Sequence, residues 1–103
     1  MGKFETVVQC RAPPKAVFDF LASGARTKMK VKSLDEGTMK VTLKSKMGML
    51  SYGEIVDCEI AATDLGSRVR LEGRPVLSTN ITADVRGTVE KVAQALVAEF
   101  ANR

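Results

Sequence analysis

Apolar and polar residues alternate from Phe4 to Arg11, with Phe4, Thr6, Val8 and Cys10 sharing one parity. That period of two predicts a half-buried strand. Ala12-Pro13-Pro14 breaks the alternation and opens a helix, because Pro is tolerated in a first helical turn. Ala16, Val17, Phe20 and Leu21 keep helical spacing, and Gly24 is a natural stop. Two further alternating runs, Met29 to Ser33 and Met39 to Ser45, flank a hairpin-type turn at Leu34-Asp35-Glu36-Gly37. In these, Met29, Val31, Met39, Val41 and Leu43 face one way and Lys28, Lys30, Lys32, Lys40 and Lys44 the other. Lys46 to Ser51 reads as a loop and Tyr52 to Ala62 as a long strand. A turn at Thr63-Asp64-Leu65-Gly66 then leads into Arg68 to Arg74, another strand with Val69 and Leu71 inward. Val76 to Ser78 either extends that strand or begins a connection. Thr82 is the expected N-cap of a final helix reaching Phe100, with Asp84 in its first turn. Val85, Val89, Val92, Ala93, Leu96, Val97 and Phe100 supply that helix's apolar stripe.

The order is therefore strand, helix, four strands, helix. Four strands joined by short turns are antiparallel neighbours. Each strand has one apolar face and each helix one apolar stripe. The expected fold class is α+β in two layers: a curved antiparallel sheet (β-α-β-β-β-β-α) with the long C-terminal helix on its one apolar face. The other face is left to water. Residues 1–103 read as one domain.

Composition narrows the chemistry. The 103 residues include no His and no Trp, two Cys and 5% aromatics. Without His the commonest general base and metal ligand is missing, and triad or Cys-His catalysis is excluded. Two well-separated Cys cannot make an ordinary zinc site, so no metal and no cofactor are expected. The absence of a nucleophile–base constellation leans away from an enzyme. Cys10 and Cys58 read as buried reduced thiols of a cytoplasmic protein; a disulfide would need their strands to be neighbours. No apolar run approaches the roughly 20 residues a transmembrane helix needs.

Arg11-Ala12-Pro13-Pro14-Lys15-Ala16-Val17-Phe18-Asp19, together with the order of elements, resembles the START-like, or helix-grip, superfamily. In that group a long C-terminal helix lies in a curved antiparallel sheet. Leu50-Ser51-Tyr52-Gly53-Glu54 is similar to a strand opening in its small bacterial members. The resemblance implies a ligand site between helix and sheet, although this chain lacks the extra elements that enlarge the cavity in full-size members. Separately, Lys44 to Gly53 resembles a segment of the phosphocarrier protein of the sugar phosphotransferase system. The phosphorylated His of that protein has no counterpart here, which excludes its function.

Glu54 is the residue that breaks the pattern. It shares the parity of Leu50, Tyr52, Val56, Cys58 and Ile60, on the side expected to be buried. A carboxylate there is costly unless paired, wet or protonated. It reads either as a pocket group that binds a ligand or acts as a base, or as a rim group paired with Arg or Lys. Gly53 before it would permit a bulge that turns it outward. The expected ligand-binding set is Tyr52, Glu54, Met47, Met49, Leu50, Val89 and Leu96, with the apolar Met47 to Leu50 loop near the mouth. The expected partner is a small apolar or amphipathic molecule, bound without catalysis.

The alternative is a polyanion, nucleic acid above all, on the open sheet face. Lys28, Lys30, Lys32, Lys40, Lys44, Arg68, Arg70 and Arg74 point there with Asp57, Glu59 and Glu72, a surplus of five positive charges against the chain's net +4. Acidic residues between basic strands also suit cross-strand pairing, and no aromatics interleave the cations to stack on bases. A solvated face is the plainer expectation. Oligomeric state leaves no mark in the pattern.

Overall fold

The computed structural model describes residues 3–24, 27, 29–45, 53–76 and 84–100. Its elements are β1 (Phe4–Cys10), α1 (Pro14–Ser23), β2 (Lys30–Asp35), β3 (Lys40–Lys44), β4 (Glu54–Thr63), β5 (Gly66–Pro75) and α2 (Val85–Phe100). The strands form one antiparallel sheet in the order β1-β5-β4-β3-β2. Both helices cover its inner face: α2 lies over β1, β5 and β4, and α1 over β4, β3 and β2. The expected two-layer α+β architecture is the observed one.

Alternation explains the layers. Val8, Cys10, Val41, Leu43, Val56, Cys58, Ile60, Val69 and Leu71 face inward, and Val17, Leu21, Val89, Val92, Leu96 and Phe100 descend on them from the helices. Burying such side chains stabilises by roughly 1.5–3 kcal/mol each. At Gly73 the two layers touch: a Cβ there would come within 2.3 Å of Val89 Cγ2 and 3.0 Å of Val85 Cγ1. A bare backbone is what lets α2 settle directly onto β5.

Several details depart from the sequence reading. Phe18, outside the expected α1 stripe, is buried, while Phe20 is half-buried and meets Phe100 edge-on at 5.3 Å. Val97 is 47% exposed, so α2's buried stripe is narrower than its apolar composition, and Thr88 takes a place in it. Lys32 is an extra residue in β2, between the pairs Val31–Leu43 and Ser33–Thr42. This bulge carries β2 on to Asp35 and moves the hairpin turn to residues 36–39, where the Thr38 N–H donates to Asp35 Oδ1 at 3.3 Å. Ile55 has the outward parity yet is only 5% exposed; its register neighbours Lys44 and Arg74 have long apolar stems suited to cover it. The expected cap Thr82 lies outside the described residues. The residue that caps α2 is Asp84, whose Oδ1 accepts the Gly87 N–H at 3.0 Å, an N-cap bond to the third helical residue.

Cys10 and Cys58 are free and buried. Their strands, β1 and β4, are separated by β5, which removes the condition a disulfide required. Burial pushes the Cys10 thiol up to about 11 and raises that of Cys58 further, helped by the negative charge of Asp57.

Candidate functional site

β4 begins at Glu54, immediately after Gly53, whose φ of 88° is a conformation that side chains disfavour. Despite that turn Glu54 is not rotated outward. It is 7% exposed, on the inner face beside Val56. Three donors converge on its carboxylate. The Ser45 hydroxyl donates to Oε1 at 3.0 Å, the Thr88 hydroxyl to Oε1 at 2.7 Å, and the Asp84 N–H to Oε2 at 3.1 Å. The Glu54 N–H in turn donates to Ser45 Oγ at 2.7 Å, and the Ser45 N–H donates to the Glu54 carbonyl at 2.9 Å. The rim reading with a cationic partner is thereby corrected: no Arg or Lys pairs with Glu54 among the described residues.

This cluster is a latch. It ties the end of β3, the start of β4 and the N-terminus of α2 at one point. The acid's negative charge also sits where the dipole of α2 is positive. Hydrogen bonds to a charged group contribute roughly 1.5–3 kcal/mol each, which offsets the desolvation of an inward carboxylate without any cation.

The sequence pattern singles out neither Ser45 nor Thr88, and it marks Asp84 only as a first-turn acid. One signal exists for Thr88, which interrupts the apolar run of α2 as Glu54 interrupts that of β4. Two polar residues on facing apolar surfaces are natural partners.

Of the expected ligand-binding residues, Met47, Met49, Leu50 and Tyr52 lie outside the described residues. Ser45 and Glu54, which flank those positions in the sequence, are both members of the latch. Val89 and Leu96 are fully buried in the core, where Val89 packs against the Gly73 backbone. They form the buried face of α2 against the sheet rather than a surface open to solvent.

The outer face is laced by ion pairs. Arg70 bonds Glu5 at 2.9 Å and lies 3.5 Å from Glu59, which Lys40 approaches at 3.5 Å, so one row spans β1, β5, β4 and β3. Next to it, Arg74 donates to Asp57 Oδ2 at 2.8 Å and the Thr42 hydroxyl to Asp57 Oδ1 at 3.0 Å. A shallow depression of about 240 Å³ runs over this row, lined by Lys40, Thr42, Asp57, Glu59, Arg70 and Glu72 among others. Of the cations expected for a polyanion, Lys28 is outside the described residues. Lys30, Lys32, Lys44 and Arg68 carry no ion pair among the described residues. Lys30 and Lys44 are register partners, with Lys32 in the adjacent bulge of β2, while Arg68 stands apart on β5. No group of three or more Cys, Asp or Glu placed to hold a metal occurs among the described residues. Likewise, no described helix is long and apolar enough to cross a membrane.

No family model matches the chain, and no curated protein does. Solved structures do. A solution structure of an Arabidopsis thaliana member of the major latex protein family superposes with a TM-score of 0.64, at 11% identity, over 97% of this chain and 92% of that one. Major latex-like protein 151 of Panax ginseng gives 0.62 at 9% identity, over 96% and 97%. A protein from the bacterium Thermus thermophilus gives 0.51 at 16% identity, over 95% and 86%. The chain has the helix-grip fold. At these identities the likeness concerns the backbone, and it agrees with the resemblance carried by Arg11 to Asp19.

Proposed function

We propose that the protein is a non-catalytic binding module for a small apolar or amphipathic molecule, received between the C-terminal helix α2 and the sheet, near Glu54. One observation carries this reading. Both helices cover the inner face of the sheet, with Phe20 of α1 meeting Phe100 near the C-terminal end of α2, while the buried polar cluster of Glu54, Ser45 and Thr88 stands at the other end of α2. A polar group at the end of an otherwise apolar layer suits a ligand with one polar end. Tyr52, Met47, Met49 and Leu50 fall in the sequence between Ser45 and Glu54, two members of that cluster, and Met side chains adapt to irregular shapes. Cytoplasmic residence fits two thiols that are kept reduced.

The fluorescence of N-phenyl-1-naphthylamine titrated with the protein tests this. Saturable binding is expected, weakened at least about tenfold by Met49→Lys, a change of roughly 1.4 kcal/mol or more. Lys40→Ala on the outer face should leave it unchanged. Absence of saturable binding would sink the proposal. The same holds if Met49→Lys binds as well as the natural chain.

A further inference from the structure

The outward cations of the sheet are of two kinds. In the row Lys40–Glu59–Arg70, register neighbours carry opposite charges and both cations are paired. A different row crosses the end of the sheet where β2 and β4 begin. It reads Lys30, Lys44, Ile55 and Arg74 on β2, β3, β4 and β5, and it contains no acid. Lys30 and Lys44 are direct register partners, an opposition of like charges that weakens a strand pair. Neither they nor Lys32, exposed in the adjacent bulge, has an ion pair among the described residues. Arg74 alone is balanced, by Asp57 at 2.8 Å. The lysines of β2 are accounted for as guards of an outer strand. Lys44 is not, because β3 is paired on both sides, with β2 and with β4.

We infer that this row is a second binding surface, on the opposite face from the site proposed above, and that its partner is the phosphate backbone of a nucleic-acid strand. Charge comes first: a phosphate group between Lys30 and Lys44 replaces one repulsion by two charge-assisted contacts. Shape comes second. From Lys30 to Arg74 the row spans three strand spacings of about 4.8 Å, roughly 14 Å, a length over which one nucleic-acid strand presents about four phosphates. The third argument is the border. The neighbouring outward row is Thr42, Asp57, Glu72 and Glu5, which holds three acids and no cation. A flat anionic bilayer on this face would meet those carboxylates too, whereas a single line of phosphates along the row avoids them. Nor does the row offer a bilayer an apolar side chain to insert, since Ile55 is only 5% exposed. An acidic peptide needs apolar or backbone contacts beside its charges, and the backbones of β3, β4 and β5 are engaged in strand pairing. No aromatic residue stands in the row, so contact is to phosphates and is indifferent to base sequence.

Fluorescence anisotropy of a fluorescein-labelled oligothymidylate titrated with the full chain tests the inference. Saturable binding is expected at about 50 mM salt, weakening roughly twentyfold by about 200 mM if Lys30, Lys32 and Lys44 each meet one phosphate. Lys44→Gln should weaken binding at least about threefold at the lower salt and make the salt dependence shallower, with an unchanged circular dichroism spectrum. Arg68→Gln removes an unpaired cation of the same face outside the row, and should leave affinity and salt dependence as they are. Absence of saturable binding at the lower salt overturns the inference. So does an equal loss in Arg68→Gln and Lys44→Gln, because net charge alone would then be felt. Displacement of the oligothymidylate by phosphatidylserine vesicles or polyglutamate as effectively as by its unlabelled form, at matched charge, overturns the choice of partner.

Discussion

Glu54 and Glu59 stand on the same strand, a few residues apart, and are accommodated in opposite ways. Glu59 lies on the outer face, half-exposed, between Arg70 and Lys40. Glu54 lies on the inner face and is held by two hydroxyls and one backbone N–H. The difference follows from what each face can supply. On a wet surface long cationic side chains reach across strands, and water meets whatever they leave unpaired. Inside, a Lys or Arg would bring its own desolvation cost, whereas hydroxyls and a helix N-terminus bring donors without a second charge to bury. The outer pairs are interchangeable with solvent. The inner cluster is not, because its donors and its acceptor have left water together.

The largest effect is expected where that cluster is emptied. Glu54→Ala leaves the Asp84 N–H and the Thr88 hydroxyl without their acceptor, and should cost about 3 kcal/mol in urea unfolding, with Glu54→Gln costing about half of that. A loss below about 1 kcal/mol for the alanine variant would erase the distinction between the two glutamates. Next comes the contact that brings α2 onto the sheet. Gly73→Ala puts a methyl group into Val89 and should destabilise by about 2 kcal/mol, and Val89→Ala in the same chain should recover part of it. Two single effects that merely add would mean that helix and strand do not touch there.

The third effect is a pH dependence that the two buried thiols of the inner face bring. The unfolded thiols ionise near about 8.5, whereas burial holds Cys10 protonated to about 11 and Cys58 beyond that. The folded state therefore binds more protons than the unfolded chain above about pH 8.5, and stability, complete below that pH, falls as pH rises toward the folded value. The slope should reach about 1.4 kcal/mol per pH unit for each thiol and should shrink by that much in Cys10→Ala. The same slope in both proteins would contradict the assignment. The smallest effect is on the outer face: Glu59→Gln should change stability by less than about 1 kcal/mol, and less still at high salt. A larger loss there would show that the row from Glu5 to Lys40 acts as a coupled network.

Most of the architecture is legible in the sequence because it rests on period. Val8 and Cys10, Val41 and Leu43, and Val69 and Leu71 declare their faces within one strand, and side chains two apart must share a side. Departures arise where a neighbour in space intervenes. The local pattern puts Leu34 in a turn because nothing nearby announces the bulge at Lys32, which exists through pairing with β3. Alternation points Ile55 outward, and only the alignment of three strands sets Lys44 and Arg74 on either side of it. Thr82 and Asp84 are both good N-cap residues, and the choice between them depends on where α2 meets β4.

The oddity of Glu54 is also visible from alternation, as is the side on which it falls. Its partners are not, since Ser45, Asp84 and Thr88 come from separate parts of the chain, and sequence separation carries no information about which of them will meet. By itself, the sequence determined the order of elements, the inward and outward faces, and the exclusion of His-based chemistry, all of which follow from local stereochemistry and composition. Only the tertiary structure decided that the inward carboxylate is tied to hydroxyls and a helix end, that Val89 and Leu96 are fully buried, and that β1 and β2 are the outermost of the described strands. Each of those is a statement about which elements lie side by side, and packing the chain into two layers is what settles it.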